Sequence, residues 1–401
     1  MTDRTIYLDN ASTTWPKPPQ VARAMAEFLE RGAATPGRGG YAMATRNAET
    51  VGRLRARLGD FLNAESEDRV VLTPGATDSF NIALLGLFCW RSFATKPKVV
   101  TTLIEHNAIR RPLLFLQQQG VLDLIEVRSN EQGMFSPESI LSAVDDRTVL
   151  VALTAASNMI GTILPSGEVC RTLRAKRPDI LTVVDASQTA GIIDIDVQRD
   201  CIDLLGFPGH KSMLGPTGTG ILYVSPRASG EVSGASLRLE PMRFGGTGGD
   251  SGSDSMPKAM PARFEPGSAN TVGFIGLLAA MESPDRPTPE AALRHERALV
   301  ARIIKGISRH DRVKILGPAG VESRVGVVSF TVDGWEPTEL GQYLDSRHGI
   351  CVRAGLHCAP GAHKSVGTFA RAGAVRASPG VYNNERDVDA FIAAIDEAVK
   401  A

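Results

Sequence analysis

The chain has 401 residues, with 44 basic and 44 acidic side chains and no basic tract. That length points to two units rather than one small core, and the balanced charge argues against nucleic acid or an anionic membrane as partner. No apolar run approaches the roughly 20 residues a bilayer requires, the opening Met1-Thr2-Asp3-Arg4 lacks the apolar core of a secretory signal, and five scattered cysteines without a CxxC pair fit a reducing cytoplasm.

Ile6 to Thr14 reads as a short strand running into a polar turn, broken by Pro16, Pro18 and Pro19, with a helix over 21–31. Pro36-Gly37-Arg38-Gly39-Gly40-Tyr41 is a loop of the kind that brings backbone close to ligands. From Arg69 onward apolar strands alternate with helices. Strands are expected at 70–73, 98–103, 122–127, 149–154, 181–184, 202–207 and 220–224, and helices at 76–93, 107–119, 137–144 and 167–177. Such alternation predicts an α/β unit with a mostly parallel, seven-stranded sheet covered by helices.

Ligands of such sheets bind beyond the carboxyl ends of the strands. The residues there are Pro74-Gly75-Ala76-Thr77, Glu105-His106-Asn107, Ser157-Asn158, Asp185-Ala186-Ser187-Gln188 and His210-Lys211. The first set opens a helix, where free N–H groups and a hydroxyl suit a phosphate. A desolvated lysine such as Lys211 loses its proton and becomes a nucleophile. It then suits a Schiff base with an aldehyde cofactor, pyridoxal phosphate above all. Asp185 can pair with a protonated pyridine nitrogen. In the linker-like run 243–253, Gly246-Thr247-Gly248 can offer amides and a hydroxyl to an anion.

An apolar helix over 271–281 follows. A smaller α/β lobe then begins near Ser283, with helices at 289–309, 337–347 and 384–399 and strands at 313–316, 325–331, 350–353 and 373–377. Arg353 and Arg376 each close a strand, and arginine suits bidentate carboxylate binding. Cys358 follows on a polar, glycine-rich turn, which favours an accessible thiol. Each group alone also has a plain reading: a surface lysine, a turn-capping aspartate, solvated arginines, a small apolar cysteine. Their convergence on one sheet edge is what favours chemistry.

Val184-Asp185-Ala186-Ser187-Gln188, Gly209-His210-Lys211 and Arg353-Ala354-Gly355-Leu356-His357-Cys358-Ala359 carry a resemblance over nearly the whole chain. It resembles the cysteine desulfurase and selenocysteine lyase family of class V, fold-type I pyridoxal phosphate enzymes. The short loop from Arg353 to Cys358 is similar to the branch with a tethered catalytic loop. The resemblance implies a large cofactor-binding domain over 16–282 and a small domain, 1–15 with 283–401, carrying the cysteine loop. Lys211 would bond pyridoxal 5'-phosphate and later move protons at the substrate Cα. Asp185 would hold the pyridine nitrogen, and His106 would stack on the ring and aid proton transfer. Gln188 would bond the phenolic oxygen, and Asn158 would contact ring or substrate. Gly75, Ala76, Thr77 and His210 would surround the phosphate, completed by Thr247 from the neighbouring subunit of a homodimer.

Arg376 and Arg353 would bind the carboxylate of L-cysteine. The Cys358 thiolate would attack the substrate sulfur, so positive charge is expected beside it. The products would be L-alanine and a Cys358 persulfide, passed to a protein or small-thiol acceptor. Pro208 replaces a Ser or Thr of the relatives, Ala76 lacks a hydroxyl found in some, and Asn107 stands where some have histidine. The loss at Pro208 implies weaker cofactor binding. Two alternatives remain open. A selenocysteine lyase or other C–S lyase would survive Cys358→Ala, and a non-catalytic sulfur-relay protein would lack the yellow colour of bound cofactor. No metal is expected.

Overall fold

Apolar β-branched runs bounded by turn residues form the strands, and periodic segments between them form the helices. The computed structural model describes residues 5–37, 39–130, 132–249 and 252–400. The opening Met1 to Arg4, and Arg38, Asp250 and Ser251 of the two glycine-rich loops, lie outside the described residues. In chain order the elements are β1 (Ile6–Tyr7), α1 (Pro19–Arg31), α2 (Ala42–Leu62), β2 (Val70–Thr73), α3 (Ala76–Phe88), β3 (Lys98–Thr102), α4 (Asn107–Gln118) and β4 (Asp123–Val127). There follow α5 (Pro137–Leu141), β5 (Thr148–Thr154), α6 (Ser166–Lys176), β6 (Leu181–Asp185), β7 (Leu204–Pro208), β8 (Gly220–Val224), α7 (Thr271–Met281) and α8 (Pro289–Ile307). The chain closes with β9 (Val313–Leu316), β10 (Val328–Val332), α9 (Pro337–His348), β11 (Ile350–Cys351), β12 (Arg353–Gly355), α10 (Pro360–Ser365), β13 (Ala374–Ala377) and α11 (Glu385–Lys400).

Seven strands in the order β2-β8-β7-β6-β5-β3-β4 make the main sheet. All neighbours are parallel except β8, which runs antiparallel to β2 and β7. Alternation along β2 sends Val71 to one face and Val70 and Leu72 to the other. On the first face α3 and α4 cover the sheet through Phe80, Leu84, Leu87, Ile109 and Leu113. On the second, α2 and α7 do so through Leu54, Leu58, Leu62, Phe274 and Leu277. Coverage on both sides explains why β6, β7 and β8 are buried at every residue. Gly220 belongs to this packing: a Cβ there would meet the Gly75 backbone at 2.4 Å, so glycine lets β8 lie against the turn that opens α3.

A second sheet, β12-β13-β10-β9, is antiparallel throughout. Leu299, Ile303, Leu344, Phe391 and Ile395 of α8, α9 and α11 pack on it. β1 joins this end of the molecule by pairing in parallel with β11. A further cluster, Val100, Ile104, Val151, Met159, Leu316, Ala359 and Ala362, seats the segment after β12 against the ends of β3 and β5.

Several expectations shift. Helix 76–93 stops at Phe88, because Trp90 and Arg91 turn away to bond the Pro241 and Arg238 carbonyls. Strand 325–331 begins only at Val328. Val325 and Val327 instead pack with Ala11, Ala156 and Ile192, and Val325 N–H bonds the Gly161 carbonyl. Strand 350–353 divides at Val352, since its two halves pair with different partners. The 21-residue α2 carries no assignment in the sequence reading, although Leu54, Leu58 and Leu62 recur at helical spacing.

Candidate active site

A cavity of about 390 Å³ opens where β2, β5, β6 and β7 end, roofed by the segment after β12. Lys211 enters it from the turn after β7, which Gly215 N–H closes on the Gly209 carbonyl at 2.8 Å. The lysine is half-buried by exposed area because it faces the cavity, yet protein surrounds it. Burial lowers its amine to about 8, the nearby Asp185 opposing that fall and Arg376 and Arg353 adding to it.

Asp185 ends β6 and is 2% exposed. Burial raises its carboxyl above the usual range, against the Ser187 N–H that donates to Oδ1 at 2.8 Å. Such a carboxyl favours a neighbour that brings a proton, as a pyridinium does. His106 caps α4: its Nδ1 accepts the Ala108 N–H at 3.0 Å, which leaves the ring proton on Nε2. Burial, then Lys211 and the arginines, hold His106 neutral by pushing it to about 3. Gln188 Nε2 donates to the Ala11 carbonyl at 3.0 Å.

Gly75 precedes α3, whose first N–H groups have no helical partner. Thr77 lies exposed on that first turn. His210 Nδ1, beside it in the cavity wall, is buried without a hydrogen-bond partner. An anion-sized group fits this end; a pyridine nitrogen fits the Asp185 end, with Lys211 between.

The register of β12 and β13 sets Arg353 opposite Arg376, so both guanidiniums stand on one face. The start of the chain meets both: Asp9 pairs with Arg376, and the Ser12 hydroxyl accepts from each guanidinium. Arg376 Nη2 donates to Asp9 Oδ1 at 2.6 Å and Ser12 Oγ at 2.7 Å, and Nη1 to the Asn158 carbonyl at 2.8 Å. Arg353 Nη1 reaches the same Ser12 Oγ at 3.0 Å. Arg376 Nε is buried and unpartnered, a free donor for a carboxylate. Cys358 is exposed, with Arg353 Nη2 3.6 Å from Sγ. Asn158 Nδ2 donates to the His357 carbonyl at 2.7 Å, holding the cysteine turn over the cavity.

A family model described as aminotransferase class-V matches residues 6–391. The chain belongs to the class-V aminotransferase family. A probable cysteine desulfurase of Methanothermobacter thermautotrophicus is 35% identical over 394 residues, covering 98% of this chain and 94% of the relative. Probable cysteine desulfurase 2 of Mycobacterium leprae is 34% identical, covering 98% and 91%. The apo structure of a cysteine desulfurase from Thermococcus onnurineus NA1 superposes with a TM-score of 0.89 at 30% identity, covering 99% of this chain and 95% of that one.

In this class-V aminotransferase chain the cavity gathers Lys211, Asp185, His106, Gln188, Asn158, Gly75, Ala76, Thr77, His210, Arg353, Arg376 and Cys358. Thr247 does not line it and is half-buried elsewhere. Pro208 also lines the cavity, as the last residue of β7. The sequence reading assigned nothing to Asp9 and Ser12; their signal was a carboxylate and a hydroxyl just after the first strand. Among the described residues no helix is long and apolar enough to cross a membrane.

Behind His106 lies Glu105, wholly buried, with the Thr102 hydroxyl donating to it. Burial lifts its carboxyl from 4.5 to about 8, and burial does the same for Glu296. Both acids keep a proton in the folded chain that the unfolded chain releases above pH 4.5. Their contribution is therefore fully present at low pH and is lost as pH rises toward 8. The buried histidines have the opposite sign and act below pH 6.5. Between pH 6.5 and 8 the melting temperature is expected to fall by about 5 °C. The variant carrying Glu105→Gln and Glu296→Gln should flatten that slope; an unchanged slope would show that neither acid is protonated.

Proposed function

We propose that this chain is a cysteine desulfurase, using pyridoxal 5'-phosphate to take sulfur from L-cysteine and leaving L-alanine and a Cys358 persulfide. One observation carries the reading: an exposed thiol with a guanidinium beside it faces the same cavity as a buried lysine–aspartate pair. The names of the full-length relatives agree with it. The same reading divides the chain into a large unit, 16–282, and a small one, 1–15 with 283–401. It also makes Thr247 a contributor to the neighbouring subunit's phosphate site in a homodimer.

The cofactor, when bound, would supply an electron sink that makes the substrate Cα acidic. Lys211 would hold it and move the Cα proton, a task suited to an amine whose proton leaves near pH 8. Asp185 would keep the pyridine nitrogen protonated. The α3 N-terminus, Thr77 and His210 would take the phosphate, and Gln188 the phenolic oxygen. His106, fixed with its proton on Nε2, would cover the ring and offer that N–H to the reacting atoms. Arg376, through its free Nε–H, and Arg353 would orient the substrate carboxylate. Cys358 thiolate would then form an S–S bond to the substrate sulfur as the carbon–sulfur bond breaks, and the carbon left behind would gain a proton to give alanine. Arg353 would stabilise that thiolate.

The acceptor of the persulfide would be a protein or small thiol in a reducing cytoplasm. Purified protein is tested with L-cysteine and with L-selenocysteine, measuring alanine and the sulfur bound at Cys358. Alanine from L-cysteine, with one sulfur per Cys358 before an acceptor is added, is the expected result. Alanine from L-selenocysteine alone would overturn the reading in favour of a selenocysteine lyase.

A further inference from the structure

The turn that carries Cys358 holds two consecutive non-glycine residues at positive φ, His357 at 51° and Cys358 at 56°. Ala359 N–H closes the turn on the Leu356 carbonyl at 2.9 Å. Two central residues at positive φ suit glycine or asparagine, and L side chains there are strained. Such a turn relaxes unless its surroundings hold it. Two bonds hold its backbone: Asn158 Nδ2 to the His357 carbonyl, and Asn107 N–H to the Cys358 carbonyl at 2.9 Å.

A third restraint runs through side chains. His357 Nε2 lies 3.3 Å from the Arg353 carbonyl, His357 Nδ1 3.1 Å from His363 Nε2, and His363 Nδ1 2.8 Å from Thr368 Oγ1. The rings are stacked 5.2 Å apart, and the two histidines are 3% and 0% exposed. The Arg353 carbonyl can only accept, which with both rings neutral fixes every proton in the relay. His357 donates from Nε2 and accepts at Nδ1. His363 donates from Nε2 and accepts at Nδ1. The Thr368 hydroxyl donates. Burial pushes both imidazoles below their usual value, which keeps both rings neutral.

We infer that His363 is a positioning residue for the Cys358 thiol, acting through His357 to clamp the turn in its left-handed form. The relay ends on Arg353, the residue whose guanidinium lies beside Sγ. It therefore ties the strand carrying the cation to the turn carrying the thiol and sets their spacing. This deepens the proposed desulfurase reading and rests on it for the identity of the reaction, but the geometry it asserts concerns the thiol alone.

The test compares His363→Leu with His363→Gln, since glutamine can place an N–H near the Nε2 position and leucine cannot. Two readouts are taken on the holoenzyme: the rate of Cys358 alkylation by iodoacetamide, and kcat and KM for L-cysteine. In His363→Leu, alkylation should slow by about 10-fold and kcat fall by about 10- to 100-fold, with KM moving less than about 3-fold, as expected of a thiol displaced by about an ångström. His363→Gln should restore both to within about 3-fold of the wild type. Equal losses in the two variants, or none in His363→Leu, would overturn the inference. If His363→Leu does not fold, Thr368→Val against Thr368→Ser replaces it, with slowed alkylation expected for valine alone and equal rates overturning the idea. If wild-type protein makes no alanine from L-cysteine, the proposed function fails, while the alkylation comparison still decides the role of His363.

Discussion

Lys211→Ala is expected to lower L-alanine formation from L-cysteine by at least about 10⁴-fold and to leave a protein that no longer retains pyridoxal phosphate covalently. The expected size follows from the site. Among the described residues Lys211 is the one lysine lining the cavity, and it lies between the Asp185 end and the α3 N-terminus. The neutral amine is the reactive form, and burial lets it appear near pH 8 rather than 10.5. Capture of the aldehyde by cofactor-free protein should therefore speed up as pH rises through about 8, and borohydride should fix the label at position 211. Loss through misfolding is distinguishable by its sign. A group whose pKa falls on folding costs stability below that folded pKa, so between cofactor-free proteins removing this amine should leave the melting temperature at pH 7 unchanged or raised. Activity within tenfold of wild type would end the assignment of Lys211, and so would a label fixed at another lysine.

Cys358→Ala is expected to reduce alanine formation from L-cysteine by at least about 10³-fold while leaving the bound cofactor's visible colour intact. The separation of the two effects comes from the architecture. Lys211, Asp185 and His106 belong to the main sheet and its first face, whereas Cys358 hangs on a turn after β12. Removing an exposed thiol opens no core cavity, so stability should stay within about 0.5 kcal/mol. Full alanine production in Cys358→Ala would redirect the reading to a C–S lyase that expels sulfur without a protein thiol. Quenching the wild type before an acceptor is added, and finding the extra sulfur on peptides other than the one containing Cys358, would do the same.

Much of the site was legible because parallel strands place chemistry at their carboxyl ends, and those ends can be read from apolar runs. Asp185 follows Val183 and Val184 directly, and Lys211 follows a run buried at every residue of β7. Other features depend on partners far away in sequence. Asp9 and Ser12 acquire meaning only when folded against Arg376 and Arg353, and no local spacing announces that contact. His363 on the short α10 looks like any lone histidine until it stands beside His357. The division of strand 350–353 is likewise a tertiary effect: one apolar run serves two sheets. α2 is a different case, since the helical spacing of Leu54, Leu58 and Leu62 is present in the sequence itself.

Asp9 meets Arg376 across 367 positions. Asp9 and Ser12 are synthesised 367 and 364 positions ahead of Arg376 and wait for that partner. Long-range closures of this sort are slow. A nascent polypeptide halted after β8 would already possess Lys211 and Asp185, but not the Arg353 and Arg376 pair proposed to grip the substrate carboxylate. Under the proposed reading, substrate binding is thus completed only after the cofactor's lysine and aspartate have been made.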